Sequence, residues 1–235
     1  MSRSAITAQA PDRSHPDERV RERFRLLGLV EPDQLPTGLL ARLRAMVPRR
    51  GLGWREAEQL AERQANRLRA QLDVLGPALR EEDIASLPWL TIARREDLPT
   101  SGVATKTDFG WLIVLKGNEP LVRQRFSLAH ELKHVLDDEI IDRPDGGLYP
   151  SIGGYSSHER AERVCDRFAA ALLIPKPVLR ADWADGLQDI AKLAKRYDVS
   201  RAAMRVRLSQ LGLIEATPRC ATPDTETTTP TGAPA

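Results

Sequence analysis

The sequence predicts an α+β fold, mainly helical, with a small antiparallel sheet packed on one helix and a helix-turn-helix-like segment after it. Three observations carry this. Apolar residues recur at helical spacing outside the middle of the chain, as in Leu39, Leu40, Leu43 and Met46. Three short runs suited to strands, Trp89–Ala93, Val103–Thr107 and Trp111–Leu115, follow Pro88 in close succession. Hydrophobic residues make up 41% and charged residues 29% of the 235, a globular balance that excludes wholesale disorder.

Residues 1–16 are small, polar and aperiodic, and predict a disordered tail. Residues 17–84 predict a basic helical region, with Ala57, Leu60, Ala61, Leu68 and Leu72 as one apolar stripe. Between Arg42 and Arg80, nine arginines stand against four acids, a balance of +5 that reads as a solvated helix surface. Residues 85–185 predict the core of the molecule. There the last two strand runs are separated only by Asp108, Phe109 and Gly110, which predicts a hairpin, and Gly117, Asn118 and Pro120 stop the final strand. A helix from about Arg123 to Asp138 follows, on Phe126, Ala129, Leu132, Val135 and Leu136. Residues 143–157, rich in Gly, Pro, Ser and Tyr, read as a loop. The next helix runs from about His158 to Leu173 and stops before Pro175 and Pro177. Residues 186–214 predict a helical pair. Residues 215–235, with seven Thr and four Pro from Ala216 on, predict a second disordered tail.

Composition narrows the function classes. A net charge of +2 requires any basic surface to be local. The longest apolar stretches, Leu112–Leu115 and Phe168–Pro175, fall far short of the roughly 20 residues of a membrane span. The N-terminus lacks the apolar segment of a secretory signal. Two cysteines, Cys165 and Cys220, cannot build a disulfide framework. The expectation is a cytoplasmic protein without membrane partners.

The chemistry concentrates in Ser127-Leu-Ala-His130-Glu131-Leu-Lys-His134-Val-Leu136. Histidines four residues apart project from one helix face, so two imidazoles reach one metal ion. Glu131 lies about 100° around the helix from His130, beside such an ion without binding it. There it can take a proton from an activated water and pass it to a leaving amine. Zinc suits this donor set, one ion per chain.

A catalytic site needs a third protein ligand. Asp138 is eight residues from His130, about 12 Å of rise, too far to share the ion. Asp137 and Ile140 stand where the metzincin pattern needs Gly and His. The following helix carries His158, Glu159, Glu162 and Asp166, with 28 residues between His134 and Glu162 in which to turn back. Glu162 and Asp166 share a face: one carboxylate can bind zinc while the other orients a ligating imidazole, the thermolysin-like, gluzincin arrangement. Glu159 is the second choice.

Two blocks, Arg125-Phe-Ser-Leu-Ala-His130-Glu131-Leu-Lys-His134 and Glu162 through Asp166-Arg-Phe-Ala-Ala-Ala-Leu-Leu-Ile-Pro175, resemble the ImmA/IrrE family of bacterial metallopeptidases over about residues 85–214. The resemblance implies that His130, His134 and Glu162 bind zinc and that Glu131 is the general base. It further implies that the substrate is a helix-turn-helix transcriptional repressor, cut to relieve repression in a mobile element or stress regulon. Lys133 and Cys165 depart from the family, replacing a common Gly and a common Ala.

In the C-terminal pair, Leu193-Ala194, a short turn at Asp198 and a second helix capped by Ser200 form a helix-turn-helix pattern. Six Lys and Arg against two Asp between Leu187 and Leu213 leave +4. Arg201 and Arg205 open the second helix, where DNA contacts are made, so DNA is a candidate partner beside the repressor. Either Val103–Thr107 or Trp111–Leu115 can serve as an edge strand for an extended peptide. Tyr149, Tyr155 and His158 are the candidates for stabilising the tetrahedral intermediate.

Overall fold

The sheet is mixed, not antiparallel. In the computed structural model, which describes residues 37–141 and 147–215, strands β1 (Leu90–Arg95), β2 (Gly102–Thr107) and β3 (Gly110–Lys116) lie in the order β1-β3-β2. β2 and β3 form the expected antiparallel hairpin, but β1 runs parallel to β3, pairing Leu90 with Trp111 through Arg95 with Lys116. The reason lies in β3, the most apolar of the three. Its Trp111, Ile113 and Leu115 are buried in strict alternation, and such a strand gains most from a central place. The link over residues 96–101 carries β2 beyond that place, and the tight turn returns β3 into it. Gly110 makes the junction possible. Its φ is +132°, and a Cβ there would lie 2.3 Å from the Trp89 carbonyl oxygen. The same carbonyl accepts the Trp111 N–H at 2.7 Å.

Helices α1 (Thr37–Arg44), α2 (Trp54–Gln71) and α3 (Glu81–Ala85) precede the sheet; α4 (Leu121–Asp137), α5 (Ser157–Leu173), α6 (Lys176–Ala184), α7 (Ile190–Arg196) and α8 (Arg201–Gln210) follow it. The expected tails, and residues 17–36 of the expected basic region, lie outside the described residues. Helix α4 is sandwiched between the sheet and α5, with Leu128, Ala129, Leu132, Val135 and Leu136 buried. The start of α5 is fixed by a capping box, in which Ser156 and Glu159 each bond the other's backbone N–H. On its far side α5 packs against α2, where alanines at 57, 61, 65, 161 and 169 let the two helices approach closely. Pro175 and Pro177 do more than end α5. They are the N-cap and first turn of α6, where a missing N–H costs nothing.

One apolar cluster runs from Leu43 on α1 to Leu208 on α8. Several charges sit inside it. Lys133 and Asp137, both on α4 and at most 1% exposed, pair at 2.5 Å, and Tyr149 donates its hydroxyl to Asp137 at 2.6 Å. Glu62 of α2 bridges Arg167 of α5 at 2.8 Å and Arg207 of α8 at 2.7 Å, while Arg207 also donates to the Ile174 carbonyl. No helix among the described residues is long and apolar enough to cross a membrane.

Candidate metal centre

Two helices bring their polar stripes face to face beneath β2. From α4 come His130, Glu131 and His134; from α5 come His158, Glu162 and Asp166 at successive four-residue steps, hence on one face. All six line one cleft of about 460 Å³, bounded above by Thr100, Ser101 and Gly102. Nε2 of His130 and Nε2 of His134 are 3.2 Å apart. The Glu162 carboxylate lies 3.3 Å from the first and 3.2 Å from the second.

Those three edges test whether a metal fits. Ligand atoms about 2.0–2.1 Å from one zinc ion, in tetrahedral array, stand about 3.3 Å from each other. The triangle already has that size. Behind it, His130 Nδ1 meets Asp166 Oδ1 at 2.9 Å, a carboxylate that holds the ring with Nε2 turned inward. Glu131, Glu162 and Asp166 surround two imidazoles with three carboxylates, a charge balance suited to a dication. Their titration shows the same crowding. Burial opposes a charge on His130, but Asp166, Glu162 and Glu131 together hold its pKa above the ordinary value. Burial and the neighbouring His130 push His134 down. Burial, helped by Glu162, raises the Glu131 carboxyl.

Glu131 stands apart from the triangle, against the edge of the sheet. Lys116 N–H donates to the Ser101 carbonyl, so in the antiparallel alternation Val103 and Thr105 also bond to β3, while Gly102, Ala104 and Lys106 turn their backbone groups to the free edge. The Ala104 backbone faces the Glu131 carboxylate and favours its charged form. Gly102 admits that approach because it has no side chain. A Cβ there would lie 2.9 Å from Glu131 Cγ and 3.2 Å from its Oε1. For a hydrolytic site with Glu131 as its base, Gly102→Ala is therefore expected to keep the metal and lower turnover about 10²-fold, the cost of a displacement near 1 Å at a reacting group. Metal content and kcat measured on one preparation check both halves.

Glu159 points elsewhere, its carboxylate taken by the Ser156 N–H and hydroxyl, both at 2.8 Å. Of the three groups considered for the intermediate, Tyr149 is fully buried with its hydroxyl committed to Asp137. Tyr155 stacks on Trp54, with Arg163 over both rings, and does not line the cleft. His158 does line it. Of the two strands considered for peptide pairing, β3 is central and β2 is the edge. Cys165 is the donor that sequence reasoning passed over. Its buried thiol lies within 4.8 Å of the imidazole nitrogens of both His130 and His134, and burial keeps its pKa well above the ordinary value.

Against known families, the chain's residues 91–209 match the peptidase family model described as the IrrE N-terminal-like domain. That is just over half of the chain. The protein belongs to the IrrE N-terminal-like family. Two curated relatives are the radiation response metalloprotease IrrE of Deinococcus radiodurans, 32% identical over 95 residues, and that of Deinococcus deserti, 33% identical over 94. Each alignment takes in 37% of this chain, and the match spans 27% and 32% of the two relatives. A solved structure, a Mycobacterium tuberculosis transcriptional regulator, aligns with 73% of this chain and 51% of its own at a TM-score of 0.46 and 16% identity. The IrrE-like match contains the whole His130–Asp166 constellation and the α7–α8 pair.

Two donor sets compete on this geometry, His130–His134–Glu162 and His130–His134–Cys165. The first has its edges at 3.2–3.3 Å and its three residues lining the cleft, whereas the Cys165 thiol is buried within 4.8 Å of the two imidazoles. Cys165→Ala is expected to retain one zinc per chain after dialysis, and Glu162→Ala to lose it. Elemental analysis of the two variants separates the sets, since the reverse pattern assigns the thiol.

Proposed function

We propose that this chain is a zinc-dependent endopeptidase with a thermolysin-like, gluzincin type of core, acting on a helix-turn-helix transcriptional repressor to relieve repression. The observation that carries the reading is the 3.2–3.3 Å triangle of His130, His134 and Glu162, with Glu131 beside it against Gly102 at the sheet edge. A bound zinc ion would supply Lewis acidity, polarising the scissile carbonyl and making a water acidic near pH 7. The protein's own groups do the rest. Asp166 holds His130 in the ligating orientation. Glu131, seated against the edge of β2, takes the attacking water's proton and delivers it to the departing amine, so the acid is regenerated as base in each cycle. An extended substrate segment pairs with the free edge of β2, which sets its carbonyl over the triangle. His158, across the cleft, is the group placed to meet the developing oxyanion.

A second reading draws on the C-terminal pair: a non-proteolytic regulator that binds DNA or a repressor, with zinc as structure. Ser200 caps α8 by accepting the Ala203 N–H at 3.0 Å, and Asp198 takes the left-handed turn with φ +52°. Arg201 and Arg205 are exposed on α8. Of the six basic residues counted there, Arg207 is buried on Glu62 and Arg196 is paired with Asp182, so the free positive surface is smaller than the count implies. Glu131 favours the peptidase, because a structural site has no use for a base. A general intracellular metallopeptidase fits the site equally but gives α7–α8 no role.

The test is capture from native lysate with Glu131→Gln, followed by incubation of each captured protein with wild-type chain and zinc. A captured helix-turn-helix repressor that wild type shortens supports the proposal. A captured repressor that stays whole, with metal and DNA present, replaces it with regulation by binding.

A further inference from the structure

The arginines of the N-terminal region divide sharply once placed in the fold. Arg42 bonds Gln71, Arg44 caps carbonyls of α4, Arg50 clasps Glu56 and Arg69 reaches the Leu172 carbonyl. Arg55, Arg63 and Arg67 do none of this. All three are exposed on α2 and make no hydrogen bond or ion pair among the described residues.

Their arrangement is regular. Arg55, Gln59, Arg63 and Arg67 follow one another at four-residue steps, with exposed Asn66 three residues after Arg63, and so form a single ridge, about 18 Å from Arg55 to Arg67. The acids near it are spoken for. Glu56, within the same arc, is held by Arg50 at 2.6 and 2.8 Å, and Glu62, at its border, by Arg167 and Arg207. Glu58 lies on the flank, half-buried. The result is a slanting row of guanidinium groups, turning about 120° around the helix from Arg55 to Arg67, with neutral hydrogen-bonding amides among them and without a direct acidic partner among the described residues.

We propose that the α2 ridge of Arg55, Arg63 and Arg67 binds the phosphate backbone of duplex DNA without reading its sequence. Each strand of duplex DNA presents about one charge per 3.4 Å of axis, so an 18 Å ridge runs beside roughly five phosphates of one strand. Guanidinium forks fit phosphate oxygens two bonds at a time, and Gln59 and Asn66 supply the neutral contacts that position a backbone. A bilayer suits the ridge less well. The apolar side of α2, with Leu60 and Leu68, is buried against α5 and cannot enter lipid. No α2 residue lines the cleft, so DNA on the ridge leaves the metal centre open, and the ridge does not depend on the peptidase reading.

The experiment is fluorescence anisotropy of the full chain on a mixed-sequence duplex, as a function of salt, with zinc content and thermal unfolding of every variant recorded. Wild type is expected to bind at low salt, with affinity falling steeply as salt rises. Arg55→Gln/Arg63→Gln/Arg67→Gln is expected to weaken binding at least about tenfold at 50 mM salt and to reduce the log–log salt slope by about 3. The corresponding triple lysine variant should keep most of that slope, because the charge remains. An unchanged affinity and slope in the glutamine variant overturns the proposal, as does an absence of duplex binding by wild type. Binding lost in Arg201→Gln/Arg205→Gln but intact in the ridge variant moves the DNA site to α8. Equal, ridge-dependent binding to phosphatidylserine vesicles makes the surface a membrane contact instead.

Discussion

Glu131→Gln is expected to lower peptide hydrolysis by about 10²–10⁴-fold, the usual worth of a positioned general base, while one zinc ion per chain remains bound. The substitution keeps the side chain's length and volume, and β2 stays where its pairing with β3 holds it. What is lost is the capacity to receive a proton. The effect belongs in kcat, with substrate capture retained, because the edge strand and the ligand triangle are untouched. Single-turnover cleavage of the trapped substrate, with metal analysis of the same sample, measures both quantities. Cleavage at the wild-type rate would remove Glu131 from the chemistry.

The second large effect concerns stability. Asp137→Asn is expected to cost about 3–5 kcal/mol, because it leaves the Lys133 ammonium fully buried without a counter-charge. At about 2–4 °C per kcal/mol for a chain of this size, the thermal midpoint falls by roughly 6–20 °C. Lys133→Met/Asp137→Leu/Tyr149→Phe removes all three polar partners together and is expected to recover most of that loss, since a buried ion pair and its apolar replacement are often of similar stability. Scanning calorimetry on the two variants checks both figures. A single variant as stable as wild type would mean that the ammonium finds water or another acceptor.

These two sites differ in how far the sequence reveals them. His130 and His134 are legible because helix geometry alone puts residues four apart on one face. Glu162 and Asp166 are legible for the same reason, once the second helix is recognised. The seat of Glu131 is not, since it brings a strand edge against a helix 29 residues later, and a glycine at position 102 carries no local sign of what it must clear. The parallel β1–β3 pair is hidden likewise: turn residues announce the hairpin between neighbours, whereas the partner of β1 is set by which strand is apolar enough to sit inside. Lys133, Asp137 and Arg207 mislead in another way. Pattern reading assigns charges to the surface, and each of these is buried because a single partner in space neutralises it. The α2 ridge shows the converse. A charge count over Arg42–Arg80 reads as mere solvation until the paired arginines are subtracted.

The strand order also bears on how the chain is made. β1 leaves the ribosome first, yet its strand partner among the described residues, β3, ends 21 residues later at Lys116. At ordinary synthesis rates of 5–20 residues per second, the segment Leu90–Arg95 waits about one to four seconds with both edges bare. A bare apolar strand invites pairing with neighbouring nascent chains. Arg94 and Arg95 close this one, and the charges that later bind Glu81 and Asp97 act meanwhile as gatekeepers against aggregation.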